Sequence, residues 1–439
     1  MPQAKADLAR MVSFASVYDP RAQPPADCGA MADFVIDAFA GVGVQDVRGY
    51  ETSDKSTVVI GHAPGPVGAP TVLLYFHHDV QPPLDEAAWA SPPFELTERD
   101  GRWYGRGAAD CKGNIAAHLT ALRAFDGNLP LSVTIVGEGS EELGDGGLDD
   151  FVVQHPDLLR ADAILVCDAG NFAVGVPSLT TTLRGVVEVT VTVRTLSGPV
   201  HSGVFGGAAP DALAALILML ASLRDAEGHT TVQGLDANQH WSGARYPSEQ
   251  FRTDAGVLDG VGLLGDEISD MVWARPAVTV LGIDCPPVVG GSASIQPEAR
   301  ALISLRIPPG ASARASQDAL IDHLTAVAPW HVQLEFERGF NGAPFIGSVD
   351  GPAFDAMGEA MQSVYGREVV QQGDGGSIPL CNVLKETFPD AEIMLLGVEE
   401  PLCGIHAPNE SVDPSEIENI ALVEALFMQQ YAARRASEN

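Results

Sequence analysis

Five residues able to ligate a metal, His77, Asp110, Glu142, Asp168 and His406, are spread over most of this 439-residue chain, each where an apolar run gives way to a loop. That is one donor more than a single zinc needs, and a carboxylate can offer one oxygen to each of two cations. The run 71–76 (TVLLYF) reads as a buried strand that delivers His77-His78-Asp79-Val80. Side chains two apart on a strand share a face, so Asp79 can accept the second ring N–H of a metal-bound His77, which makes His77 a better ligand than His78. Next comes the glycine-rich segment 105–113 (GRGAADCKG), ahead of an amphipathic helix carrying Ile115, Leu119, Leu122 and Phe125 at helical spacing. Asp110, at that junction, is the candidate bridge. The strand 132–136 (SVTIV) runs into Gly139-Ser140-Glu141-Glu142. Neighbours in an extended segment face opposite ways, which divides this pair into a base, Glu141, and a ligand, Glu142. Asp168 ends the strand 163–166 (AILV), and His406 lies in 403–410 (CGIHAPNE). Such a set performs hydrolysis: two divalent cations polarise a carbonyl and acidify a water, and a carboxylate in reach moves the proton to the leaving nitrogen.

Taken singly, each piece has an ordinary reading. A strand-end histidine is commonly a satisfied polar residue, adjacent glutamates form a solvated corner, and a glycine-rich loop before a helix is a turn or a phosphate cradle. Neither GxGxxG nor GxxxxGK[ST] occurs, which weakens the phosphate reading. The order of the whole set decides otherwise, since every member falls where a strand's carboxyl end meets a loop, the usual place for an open α/β site.

The ordered pattern HxDV, GRGxxDxKG, GxEExG, a strand-end aspartate and a late HxxNE resembles the co-catalytic zinc peptidases. That family comprises carnosinase-type dipeptidases, aminoacylases, glutamate carboxypeptidases and succinyl-diaminopimelate desuccinylases. The resemblance covers roughly residues 30 to 430. It implies an α/β fold, with a zinc-dependent exopeptidase-like catalytic domain in two segments, 1–180 and 341–439. An inserted ferredoxin-like α+β lid and dimerisation domain would occupy 181–340. It implies two zinc ions, with manganese or cobalt as alternatives: His77 and Asp168 on one, Glu142 and His406 on the other, Asp110 bridging. Glu141 would be the general base, Asp79 would orient His77, and the Asp110–Cys111 peptide would be cis. One departure is visible, because Phe76 stands where the family usually has glycine before the histidine.

The middle of the chain fits such an insertion. After Asp168 the pattern alternates, with Val187, Val189, Val191 and Val193 on one face and Glu188, Thr190 and Thr192 on the other, as in a half-exposed antiparallel strand. A helix at 210–224, a strand at 299–307, a helix at 316–327 and a strand at 331–337 follow. The intervening stretch 229–291 is longer than a connection should be. It suggests the enlarged lid of the dipeptidase branch. His201, in a tight loop after a strand, has the placement of an oxyanion donor, and by resemblance it reaches the neighbouring subunit's active site, which implies a homodimer. Arg306 lies opposite the apolar side of its strand, and its planar fork suits the terminal carboxylate of a peptide. By resemblance it is the carboxylate clamp, with Ser377 and Ser294 as helpers.

Composition bounds the setting. With 25 basic against 58 acidic residues the net charge is −33, which repels phosphate backbones and anionic membranes, so neither nucleic acid nor membrane is expected as a partner. Six scattered cysteines without a CxxC read as free thiols in a reducing compartment. No apolar leader opens the chain, and the most apolar helix, 211–223, is too short to span a bilayer. The expectation is a cytoplasmic, metal-dependent dipeptidase acting on short peptides with a free C-terminal carboxylate. An N-acyl-amino-acid deacylase is the alternative. A catalytically silent homologue and a two-metal phosphoesterase are less favoured.

Overall fold

The computed structural model describes residues 1–19, 26–144, 147–347 and 349–438. The chain divides into two compact units: Met1–Thr181 with Gly347–Gln372 and Pro379–Asn439, and Thr182–Ile346 with Gly373–Ile378.

The first unit is built on a mixed sheet. Its strands run in the order Gln45–Glu51, Thr57–Ala63, Ser132–Glu138, Thr71–His77, Ala163–Cys167, Glu392–Leu396 and Ser178–Leu183. The central strands are parallel, with 71–77 paired to 132–138 on one side and to 163–167 on the other, and 163–167 paired in turn to 392–396. Buried on both faces, they are nearly continuous runs of Val, Ile and Leu, as parallel strands must be. Helix Lys112–Arg123 packs against Pro2–Val12 and against Pro414–Glu438, which also meets Pro352–Tyr365. Ile115, Leu119 and Leu122 of the first of these helices join that core.

Phe76, bulky where a small residue was expected, is accommodated by its neighbour. It stands opposite Gly137 in the 71–77/132–138 ladder, where a Cβ on Gly137 would come 2.5 Å from the Phe76 ring. The ring stacks on Phe39, centroids 5.2 Å apart.

The second unit is an antiparallel sheet in the order Ala277–Asp284, Glu298–Ile307, Gly185–Arg194, Gln333–Gly342. The alternating valines of 185–194 face a core completed by Ile303, Leu305, Leu216, Met219 and Leu320. The last three come from helices Ala212–Ala221 and Ala313–Val327. Two helices on one face of such a sheet make the ferredoxin-like α+β arrangement. The long 229–291 stretch is more ordered than its sequence suggested. It holds helix Ser248–Asp254, a π-helical turn Asp270–Ala274 and the edge strand Ala277–Asp284. That strand escaped the alternation test because a bulge between Val280 and Gly282 breaks its period: Val278, Val280 and Ile283 stand opposite Leu305, Ile303 and Ala301 on one face. No helix of the described residues is long and apolar enough to cross a membrane.

Candidate metal centre and active site

Three neighbouring parallel strands deliver the first donors. His77 closes the 71–77 strand, the Glu141–Glu142 pair follows the 132–138 strand after two residues, and Asp168 follows the 163–167 strand directly. Asp110 precedes helix 112–123 across a cis Asp110–Cys111 peptide, and His406 comes from the loop after the 392–396 strand. His406 adopts a left-handed φ of 61°, uncommon for a side chain with a Cβ and typical of functional loops.

These side chains converge in two groups that share Asp110. His77 Nε2 lies 2.7 Å from Asp110 Oδ1 and 3.3 Å from Asp168 Oδ1. His406 Nε2 lies 3.0 Å from Asp110 Oδ2 and 3.0 Å from Glu142 Oε2. The two oxygens of one carboxylate thus serve the two imidazoles, which is how a bridging ligand divides. Ligand atoms about 3 Å apart are the edges of a coordination shell with bonds near 2.0–2.2 Å. Among the described residues His77, Cys111 and Asp168 form one group of potential ligand atoms, and Asp110, Glu142 and His406 another. Cys111 is the weakest of these. Burial pushes its thiol well above the ordinary range, and Sγ donates to the Cys167 carbonyl at 3.0 Å. A third group, His118, Cys167 and Glu424, is wholly buried, with His118 Nδ1 paired to Glu424 at 2.9 Å.

The electrostatics fit cations. Burial raises the carboxyl groups of Glu141, Glu142 and Asp168, and each neighbouring carboxylate adds to the shift. Asp110 goes the other way: burial opposes its charge, but hydrogen bonds from His406 and His77 hold it below the carboxylate range. His406 is pushed up to about 10 by its bonds to Asp110 and Glu142. Without cations the cluster retains protons. Two divalent ions would replace them.

Asp79 has a wider role than orienting His77. His77 Nδ1 approaches Asp79 Oδ1 at 3.4 Å and the Asp79 carbonyl at 3.2 Å. The same carboxylate accepts the N–H of Glu141 at Oδ1, 3.2 Å, and of Glu142 at Oδ2, 3.1 Å. This corrects the extended conformation expected for that pair. Glu141–Leu143 is a one-turn 3-10 helix, closed by Gly144 at φ 69°, whose first N–H groups need an anionic cap. The division between Glu141 and Glu142 therefore comes from a capped turn, and the opposite faces of a strand play no part in it.

Two further residues lacked a sequence signal strong enough to single them out. Gln81, just beyond HxDV, holds Glu142 twice: its backbone N–H donates to Oε1 at 3.1 Å and its side-chain Nε2 donates to Oε2 at 2.8 Å. Glu410, the last letter of HxxNE, is wholly buried and accepts the N–H groups of Gly107, Ala109 and Asp110 at 2.9–3.2 Å, as well as Arg106 Nη1 at 2.6 Å. It fixes the 105–110 loop against the 404–410 loop, and hence Asp110 against His406.

The remaining candidates belong to the second unit. His201 and Ser294 are cross-strand neighbours in a short ladder. His201 is exposed, and its Nδ1 accepts the Gly203 N–H at 3.1 Å, which places the proton of the neutral ring on Nε2. Arg306 is half-buried on the sheet face opposite the valine core, across from Val186. The Ser377 hydroxyl is buried without a hydrogen-bond partner.

Comparison with known proteins bears on this geometry. The model of peptidase family M20/M25/M40 matches residues 73–430. A cysteinylglycine-S-conjugate dipeptidase of Corynebacterium striatum is 48% identical over 394 residues, covering 88% of this chain and 86% of that protein. A Cys-Gly metallodipeptidase of Schizosaccharomyces pombe is 28% identical over 418 residues, 87% of this chain and 86% of that one. The crystal structure of human carnosine dipeptidase 1 superposes with a TM-score of 0.84 at 24% identity, over 98% of this chain and 96% of the other.

Proposed function

Because the chain belongs to peptidase family M20/M25/M40, we propose that it is a two-metal dipeptidase that hydrolyses cysteinylglycine-type dipeptides, free or S-substituted. The chain is a hydrolytic enzyme of the family's dipeptidase branch. The observation that carries the finer reading is the sharing of Asp110, one oxygen toward His77 and the other toward His406, beside the half-buried Glu141.

His77 with Asp168 would hold one cation and Glu142 with His406 the other, Asp110 lying between them. The donors are imidazole nitrogens and carboxylate oxygens, which suit zinc and admit manganese or cobalt. Once bound, the pair supplies Lewis acidity to the scissile carbonyl and to the attacking water. Glu141 takes the proton from that water and returns it to the amine nitrogen as the C–N bond breaks, leaving a carboxylate and an amine. Asp79 keeps His77 and the Glu141 turn in register. Arg306 and Ser377 would grip the substrate's terminal carboxylate, and His201, protonated on Nε2, would donate to the developing oxyanion, with Ser294 beside it.

By this reading the inserted unit is the lid and dimerisation domain, and His201 acts in the neighbouring subunit of a homodimer. The sheet's edge strand 277–284 exposes Leu281 and Ile283, and helix 212–221 exposes Ile217 and Leu218, the surface that such a contact needs. A cytoplasmic location completes the proposal.

The test is hydrolysis of a dipeptide panel beside N-acetyl amino acids by metal-reconstituted protein, with Glu141→Gln as control. Cleavage of cysteinylglycine that disappears on chelation and in the variant is the expected result. Turnover of N-acetyl amino acids alone would move the reading to the deacylase alternative, which the dipeptidase relatives do not favour.

A further inference from the structure

Arg184 joins the strand ending at Leu183 to the strand beginning at Gly185. It is 9% exposed, and among the described residues its guanidinium meets two backbone carbonyls, both through Nη1: Met271 O at 3.3 Å and Arg275 O at 3.5 Å. Nε is buried with no partner. Carbonyls at such distances compensate a full charge poorly, and a buried guanidinium ordinarily faces a carboxylate.

Its surroundings point to the anion it lacks. Arg306 stands across from Val186 on one side and from Ala277 on the other. Arg184 lies two residues before Val186, and Arg275, whose carbonyl it binds, lies two residues before Ala277. The two arginines therefore share one corner of the sheet, on the face away from the valine core. Burial first and the charge of Arg306 second bring Arg184 down to about 10. Asp374 acts on both arginines through space, Glu188 on Arg306 alone. Asp374 is partly engaged elsewhere, since its Oδ1 accepts the Gly376 N–H at 2.6 Å.

The 373–377 segment is shaped around Arg184. Its N–H donates to the Asp374 carbonyl at 3.0 Å. A Cβ on Gly375 would stand 2.7 Å from Nη2, so glycine keeps the space before that nitrogen open. The same segment ends in Ser377, whose hydroxyl is a second buried donor without a partner.

We propose that Arg184 is a second guanidinium of the substrate-carboxylate site, recognising with Arg306 and Ser377 the terminal carboxylate of the dipeptide's C-terminal residue. The assignment rests on the dipeptidase reading above and extends it. The carbonyls of the π-helical turn hold the cation in place until the anion arrives, so the long insert serves the site by fixing this residue. A pocket built to pair a carboxylate leaves its own donors unsatisfied when the ligand lacks one, so blocking the C-terminus should be heavily penalised.

The experiment measures kcat and KM for cysteinylglycine and for its C-terminal amide with metal-loaded wild type, Arg184→Met and Arg184→Lys, together with thermal unfolding of each. In Arg184→Met, kcat/KM for the free acid should fall about 30-fold or more, mainly through KM, while the amide changes little and the preference for acid over amide collapses. The melting temperature should stay level or rise, because an uncompensated buried charge is gone. Arg184→Lys, with the charge but not the fork, should fall between. An acid-over-amide preference equal to wild type in both variants would overturn the assignment and leave Arg184 a structural support of the 373–377 segment. Wild-type protein that cleaves neither peptide sinks the dipeptidase reading and this assignment with it. Wild-type protein that cleaves the free acid, with a preference indifferent to Arg184, sinks this assignment alone.

Discussion

At the scale of single residues, Asp79 separates two kinds of contribution to one reaction. In the proposed reaction Glu141 handles the proton, whereas Asp79 holds the first turn that carries Glu141 and Glu142 and the ring of His77. Glu141→Gln should lower kcat by a factor on the order of 10²–10⁴ while the protein still binds its metals, as kinetics and elemental analysis of the same sample would show. Asp79→Asn turns an amide N–H toward donors that need an acceptor. Metal affinity should drop about 10–100-fold, read by competition with a chelator, and excess metal should restore much of the rate. The proposed ligands stood out in the sequence because each is a donor side chain at the end of an apolar run or in a glycine-bearing loop beside one. Glu410 and Gln81 were not, since their partners are backbone N–H groups and another residue's carboxylate, contacts that leave no periodic trace.

Among elements, the parallel strands were legible from continuous apolar runs and the 185–194 strand from strict alternation. The 277–284 edge strand was not, because a bulge between Val280 and Gly282 breaks its alternation and it follows a proline. The pair of strands bearing His77 and the Glu141 turn shows how a departure from a family pattern is absorbed. Phe76 fills the space that a Cβ on its ladder partner Gly137 would need. Gly137→Ala should therefore destabilise the protein by about 1–3 kcal/mol, with the Phe76 ring held in place by Phe39. In a Phe76→Ala background the same change should cost far less, since the cavity then accepts a methyl group. Thermal unfolding of the four proteins under one metal loading gives the coupling. Equal effects of Gly137→Ala in both backgrounds would mean that the ring does not set the constraint.

For the whole molecule, metal occupancy and protonation are linked. In the metal-free protein His406 is pushed up to about 10, and burial raises Glu141, Glu142 and Asp168. His406 and the raised carboxyls hold protons in the folded state above their unfolded pKa values. A raised His contributes stability that is present below its unfolded pKa and is lost as pH rises toward the folded value. Raised carboxyls likewise favour the folded state less as pH rises. Bound cations remove both penalties, because ligands must shed their protons to bind and the carboxylates then face positive charge. Asp110, held low by the two imidazoles, gives up its proton far below this range and does not reverse the trend. The rise in melting temperature on adding zinc should therefore grow from pH 5.5 to pH 7.5, and calorimetry in buffers of different ionisation enthalpy should show protons released on binding. A metal-induced shift constant across that range, with no proton release, would mean that the clustered carboxylates and imidazoles are not the groups that bind.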